Sequence, residues 1–134
     1  MRLALASAVA ILSACGPSAE ALEAARLLHA IDALRDVPND PVTARKALLD
    51  RLDAEPASGK LAAAARSACI TAYRPMVEGQ MLEARVRARH RAAPEDIQPD
   101  LLVDLATAEA KLKESKAAMP ECERTKAELR RTFR

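Results

Sequence analysis

The sequence predicts an all-α fold, a small helical bundle built around a long antiparallel helical hairpin. Thirty-one of the 134 residues are alanine and only three are glycine, while Tyr73 and Phe133 are the sole aromatic residues. Alanine favours helices, and strands are rich in aromatic and β-branched side chains. Prolines also divide the chain into segments whose apolar residues recur at helical spacing. Because alanine buries little apolar area, we expect an open bundle that needs a covalent staple or a partner.

Two shorter helices are predicted ahead of the hairpin. Ser18 is expected to cap the first helix, which runs to about Asp36. Its apolar face consists of Ala24, Leu27, Leu28, Ile31 and Leu34. A turn rich in proline follows, and Asp40 is expected to cap the second helix with Pro41 as its first residue. This short second helix should stop before Pro56.

The two long helices of the predicted hairpin span about 58–93 and 99–131, with Ser58 opening the first of them. The last helix carries a heptad seam, formed by Leu101, Leu105, Ala108, Leu112, Ser115, Met119, Cys122, Lys126 and Leu129. The preceding helix offers a narrow stripe of mostly small residues, formed by Leu61, Ala65, Ala68, Cys69, Ala72 and Met76. Pro75 and Pro120 lie inside these helices, and the sequence leaves open whether each kinks or breaks its helix.

The first residues have the pattern of an export signal. Arg2 is followed by an apolar run over 3–12 and then by Ser13, Ala14 and Cys15. This run is shorter than the roughly 20 residues that a bilayer-spanning helix needs. One positive charge, a short apolar run and small residues before a cleavage site are typical of a secretory signal peptide.

The tetrapeptide Leu12-Ser13-Ala14-Cys15 also resembles the lipobox of bacterial lipoproteins, in which an aliphatic residue stands three places before a cysteine and small residues lie between. The resemblance covers the first sixteen residues. It implies that 1–14 are removed as a signal peptide and that Cys15 carries a diacylglyceryl thioether, with palmitate or another acyl chain on the new amino group. Residues 15–17 would then be a lipidated tether, and 18–134 a single α-helical domain. An ordinary signal peptide is the alternative.

The resemblance also implies an address in the cell envelope. Gly16 follows the cysteine where an aspartate would retain the lipoprotein in the inner membrane. We therefore expect an outer-membrane lipoprotein that faces the periplasm, and the inner membrane and the cell surface stay open as alternatives.

The two remaining cysteines are predicted to form a disulfide. Export places Cys69 and Cys122 in an oxidising compartment, where an even pair of cysteines usually bonds. Their midpoint falls within the turn at 94–98, so an antiparallel hairpin would bring them face to face. A redox or metal centre is the alternative, although the chain has no C-x-x-C pair and only His29 and His90 as further ligands.

Two local clusters are candidate partner-binding sites, and the residues proposed are Tyr73, Met76, Arg85 and Arg89. Tyrosine and methionine beside Pro75 could form a peptide-binding notch, or they could fill the core at a bend. The arginines at 85, 87, 89 and 91 could meet an acidic partner or lipid head groups. Alternatively, they pair around the hairpin tip with the acidic cluster of Glu95, Asp96, Asp100 and Asp104, and both sets of charges oppose the helix dipoles.

The sequence favours a binding role over catalysis. It contains no G-x-S-x-G, H-E-x-x-H or phosphate-binding glycine loop, so we expect neither an enzyme nor a cofactor, bound metal or small-molecule substrate. Without residues 1–14, twenty basic residues face nineteen acidic ones and the signs are interspersed, which does not indicate a nucleic-acid partner.

The expected role is therefore that of a non-catalytic accessory or scaffold subunit that binds another protein of the envelope. In architecture such a domain is similar to pilotins, the small lipoproteins that escort secretins, some of which are compact helical bundles with a disulfide. A structural spacer lipoprotein of the envelope and a small periplasmic inhibitor or immunity factor are the alternatives.

Overall fold

The computed structural model describes residues 16–95 and 98–133, which form four α-helices and, within those ranges, no strand. The helices are α1 (Ala19–Asp36), α2 (Val42–Ala54), α3 (Lys60–Ala92) and α4 (Pro99–Thr132). The predicted all-α bundle with two shorter helices and a long helical pair is thereby confirmed. The lipobox at Leu12–Cys15 lies outside the described residues.

Helices α3 and α4 form the antiparallel hairpin and make the most extensive contact in the molecule. The two helices pack closely at Gly79, where an added Cβ would lie 3.0 Å from the carbonyl oxygen of Ala108 and 3.1 Å from Cγ of Leu112. A side chain at Gly79 would therefore hold the two backbones apart.

Both internal prolines lie within continuous helices. Pro75 is buried inside α3, and Pro120 lies inside α4. A proline in a helix interior costs about 3 kcal/mol because it removes a backbone hydrogen bond. The long packed interface on either side of each proline offsets this cost, so neither helix ends there.

Helices α1 and α2 pack against one half of the hairpin only. We call residues 60–81 and 110–132 the proximal half, and residues 82–92 and 99–109 the distal half. The apolar core lies in the proximal half, with its largest members drawn from all four helices: Leu27, Ile31, Leu34, Leu52, Cys69, Tyr73, Val77, Cys122 and Leu129. Val77 is the last α3 residue of this core, and Val86, Leu101 and Ala108 are buried outside it. The distal half is therefore a helix pair without a third layer.

The start of α2 differs from the prediction. Asp40 was expected to cap the helix, but α2 begins at Val42, and Pro41 occupies the cap position. Pro41 has extended backbone angles (φ −77°, ψ 141°), so the helical conformation cannot begin before the residue that follows it. The predicted cap of α1 is confirmed, because the Ser18 hydroxyl accepts a hydrogen bond of 3.1 Å from the N–H of Ala21.

The start of α3 is also later than predicted. Helix α3 begins at Lys60 with Gly59 as its cap residue, rather than at Ser58. The backbone N–H and the hydroxyl of Ser58 donate instead to the carboxylate of Glu23 on α1, at 2.6 Å and 2.9 Å. This tertiary contact holds Ser58 outside the helix and fixes the α2–α3 connection to α1.

One position of the predicted seam on α4 is exposed. Leu101, Ala108, Ser115, Cys122, Lys126 and Leu129 are buried as the heptad pattern requires. Leu105 is wrongly assigned to the interior, since 44% of its surface is accessible. It lies in the distal half, where the core formed with α1 and α2 no longer extends to cover it.

Candidate functional site

The two cysteines predicted to pair are bonded in the structure. The sulfur atoms of Cys69 and Cys122 lie 2.02 Å apart, and the bridge joins α3 to α4 across a sequence separation of 53 residues. Both side chains are fully buried in the core. A buried disulfide is out of reach of a dissolved thiol, so this bridge is suited to holding the hairpin closed rather than to exchange. Within the described residues, no cluster of histidine, cysteine and carboxylate side chains could hold a metal ion.

The structure places the Tyr73 and Met76 pair in the packed bend rather than at an open notch. Tyr73 is only 3% exposed and belongs to the core, and burial raises the pKa of its phenol. Met76 is partly buried, and its sulfur lies 3.6 Å from Nη1 of Arg45 on α2. A partner could not reach the tyrosine ring without opening the bundle.

Arg45 is a buried cation that the sequence did not reveal. Its guanidinium donates to the side chain of Asn39 at 2.6 Å, to the carbonyl oxygen of Val37 at 2.6 Å and to the side chain of Gln80 at 3.3 Å. All three acceptors are neutral, and together they tie the α1–α2 turn to α3. No local pattern distinguishes Arg45 from an exposed helical arginine, because its partners come from two other segments.

A second polar cluster joins α1 to α4. The buried ammonium of Lys126 lies 2.7 Å from the carboxylate of Glu123 and 3.8 Å from that of Asp32. Asp32 also forms ion pairs with Arg130 at 2.9 Å and with Arg35 at 3.2 Å. Since every charge here has an opposite neighbour within the bundle, the cluster is suited to docking α1 onto α4.

Arg85 and Arg89, the other two predicted partner-binding residues, form ion pairs across the hairpin tip. Arg89 contacts Asp100 at 2.6 Å and the side chain of Gln98 at 2.5 Å, while Arg85 lies 3.8 Å from Asp104. The hydrogen bond from Arg89 lowers the pKa of the Asp100 carboxyl. These pairs agree with the interpretation of the basic and acidic clusters as partners of one another.

An apolar groove opens on the distal half of the hairpin. It has a volume of about 310 Å³ and is lined by Val86, Arg87, His90, Leu101, Leu102 and Leu105. The α4 side chains that line it are well exposed, with 58% of Leu102 and 44% of Leu105 accessible. We call this surface the distal groove.

The distal groove could have been anticipated in part from the sequence. Leu101, Leu102 and Val103 are consecutive, and neighbouring residues of a helix point about 100° apart. A single partner helix therefore cannot cover all three side chains. The heptad pattern accounts for Leu101 and leaves the next two without a buried environment.

The described helices contain none that is long and apolar enough to cross a membrane. The expected lipid attachment site, Cys15, lies outside the described residues, so the anchor stays a prediction. Comparison with known proteins finds no matching family, no similar curated protein and no similar solved structure.

Proposed function

We propose that this chain is a lipoprotein of the bacterial envelope, anchored by lipid on Cys15 and facing the periplasm, that serves as a non-catalytic binding subunit of an envelope assembly. The observation that carries the binding role is the distal groove, an exposed apolar surface on a helix pair. The lipid anchor rests on the resemblance of Leu12–Cys15 to a lipobox. A pilotin-like role, in which the domain escorts or supports a larger membrane component, fits this combination.

The distal groove supports binding because its apolar side chains are concentrated in one place. Leu101, Leu102 and Leu105 lie within two turns of α4 and line the groove together with Val86 of α3. A contiguous exposed apolar patch on a folded domain commonly marks a contact surface for another macromolecule. A groove between two helices can receive the apolar face of a third helix.

The geometry of the hairpin also separates the groove from the proposed anchor. The start of α1, the start of α3 and the end of α4 meet in a cleft lined by Glu20, Gly59, Lys60 and Phe133. The groove lies some 26 residues further along α3, or about 40 Å at the rise of an α-helix. A domain tethered just before α1 would therefore present the groove away from the anchored end.

Metabolic labelling tests the anchor. Cells that express the chain are fed an alkyne-bearing palmitate, and the protein is examined for label and for membrane association. We expect the wild type and a Ser13→Ala control to be labelled and sedimented with membranes, and Cys15→Ala to lose both properties. A labelled Cys15→Ala variant, or an unlabelled wild type, would contradict the lipoprotein assignment.

Photo-crosslinking in intact cells tests the binding role. A photoreactive amino acid is placed at Leu105 in the groove or, as the control, at Leu22 on α1, which is equally exposed at 46%. We expect a discrete crosslinked envelope protein from position 105 and none from position 22. Crosslinking only between copies of the chain would favour the spacer role, and the absence of any product at 105 would count against the binding role.

A further inference from the structure

We propose that the distal groove binds an acidic amphipathic helix of the partner protein. The apolar face of that helix would enter the groove, and its carboxylates would pair with Arg87 and Arg91. This inference rests on the proposed binding function and adds to it the chemical class of the partner segment.

The apolar part of the site can receive side chains from a bound helix. Helices bind in such grooves through a few anchors spaced at i, i+3 or i+4, and i+7. A groove of about 310 Å³ lined by Leu101, Leu102 and Leu105 offers room for anchors of this kind. A stable dimer of folded domains usually buries about 20 to 30 residues on each side. The small cluster of exposed apolar side chains here is better matched to a single helix than to a second copy of the chain.

The charged part of the site favours a partner helix with negatively charged side chains. Arg87 lines the groove, and Arg91 follows it one turn later on the same face of α3. Neither arginine forms an ion pair with any residue in the described part of the chain, although Glu83 lies one turn before Arg87.

The nearby carboxylates of α4 are already engaged. Asp100 and Asp104 are paired with Arg89 and Arg85 on the other side of the hairpin tip. Among the described residues, the positive charge at the rim of the groove is therefore not neutralised by an ion pair. Carboxylates on the flanks of a bound helix would supply it, with both affinity and association rate raised by the charge complementarity.

A lipid surface fits this site less well than a helix does. The exposed side chains of Leu102 and Leu105 could contact a bilayer only if the distal end of the hairpin faced one. The groove also lies about 40 Å along the hairpin from the end where α1 begins. The membrane that holds the proposed anchor would thus lie beyond the opposite end of the helix pair.

Three synthetic helical peptides of about 20 residues provide the test. All share one leucine face with i, i+3, i+7 spacing, and they differ only in whether the flanking positions are Glu, Gln or Lys. Fluorescence anisotropy measures their binding to the folded chain in low and high salt. We expect the Glu peptide to bind at least tenfold more tightly than the Gln peptide, and the Lys peptide to bind most weakly. High salt should reduce these differences in affinity.

Matched variants locate the binding. Arg87→Glu and Leu105→Gln should each weaken the Glu peptide tenfold or more, while Arg26→Glu and Leu22→Gln on exposed positions of α1 should leave it unchanged. Circular dichroism and the urea midpoint of each variant establish that the fold is retained. Because Arg87 and Leu105 are exposed, their substitution removes no core contact.

Several outcomes would overturn the proposal. The proposal is wrong if none of the three peptides binds at millimolar concentration, or if all three bind equally. It is also wrong if neither Arg87→Glu nor Leu105→Gln weakens binding. Self-association through Leu105, seen as a mass change in light scattering, would assign the groove to a second copy instead. Binding to vesicles that contain phosphatidylglycerol, lost in Arg87→Glu, would assign it to a lipid surface.

The results can be separated from those of the proposed function. If the photoreactive residue at 105 captures a partner but acidic peptides show no preference, the binding role stands and the acidic class is wrong. If acidic peptides bind the groove but no envelope protein is crosslinked there, the chemistry of the groove stands and the envelope role is wrong.

Discussion

Gly79 occupies a point where the two long helices pack closely. An added methyl group would meet the backbone oxygen of Ala108 at 3.0 Å, and backbone cannot move aside as a flexible side chain can. At an exposed position inside a helix, replacing glycine by alanine would stabilise the folded protein by about 1 kcal/mol. At this position we expect Gly79→Ala to lower the free energy of unfolding by about 1 to 3 kcal/mol through overpacking, as measured by urea denaturation.

Ala110→Gly calibrates that measurement. Ala110 is an exposed residue inside α4, so its substitution reports the intrinsic helix preference with little packing. We expect a loss of about 1 kcal/mol there. Gly79→Ala and Ala110→Gly are opposite substitutions, and we expect both to destabilise the protein. A Gly79→Ala variant more stable than the wild type would show that the hairpin tolerates a wider separation.

Glu23 provides a pH-dependent contact between α1 and Ser58 in the α2–α3 connection. The hydrogen bonds from Ser58 lower the pKa of Glu23 below its ordinary value of 4.5. A carboxyl whose pKa is lower in the folded state contributes stability above its unfolded pKa and loses it as the pH falls through the folded pKa. We expect the stability advantage of the wild type over Glu23→Gln to be constant from neutral pH to about pH 5 and to shrink below 4.5.

Urea titrations at several pH values check this expectation. Glu109→Gln, which removes an exposed carboxylate of α4, is the control for changes in overall charge. A difference between wild type and Glu23→Gln that grows as the pH falls would contradict the assigned sign.

Among the elements, the α3–α4 hairpin depends most on its covalent staple. Closing a loop with a sequence separation of 53 residues stabilises the folded state by about 4 kcal/mol in the chain-entropy model. We expect protein unfolded and refolded in a phosphine reductant to lose stability of this order. Urea denaturation with and without reductant measures it, in the Cys15→Ala background so that only the bridge changes. Equal midpoints would mean that the packed helices alone determine the stability.

At the element scale, much of the fold could be predicted from the sequence because prolines and apolar spacing are local features. The bounds of α1 and α4 follow from such features, and the pairing of Cys69 with Cys122 follows from their equal distance from the predicted turn. The predicted starts of α2 and α3 were wrong by one and two residues. The hydrogen bonds from Ser58 to Glu23 join positions 35 residues apart, and no local pattern indicates them.

The site was less predictable than the helices. A heptad pattern places Leu105 toward α3, but it cannot show where the contribution of α1 and α2 to the core ends. The same limit applies to Tyr73, which the core covers, and to Arg85 and Arg89, which the acidic start of α4 engages. Exposure of a helical face depends on which other helices reach it, and this is a property of the assembled bundle.

In the whole molecule, stability should be distributed unevenly along the hairpin. The proximal half contains the core and the disulfide, whereas the distal half is closed by a few buried residues and exposed ion pairs. Exposed ion pairs contribute little to the stability of the fold. We expect backbone amides at 84–91 and 103–109 to exchange with solvent faster than those at 66–77, measured by hydrogen–deuterium exchange.

Binding of the acidic peptide should slow exchange in the distal half alone. Uniform protection along both helices in the free protein would contradict the uneven distribution. The control is the reduced protein, in which we expect the proximal amides to lose more of their protection than the distal ones.

The beginning of α1 and the end of α4 lie at the same end of the bundle, since Glu20 and Phe133 border one cleft. A reporter domain fused after residue 134 would therefore be carried beside the tether, far from Leu105. Such a fusion should keep the groove free for its ligand. A fusion inserted at the turn between α3 and α4 should block it, and the two placements provide a way to switch the surface off without changing any of its residues.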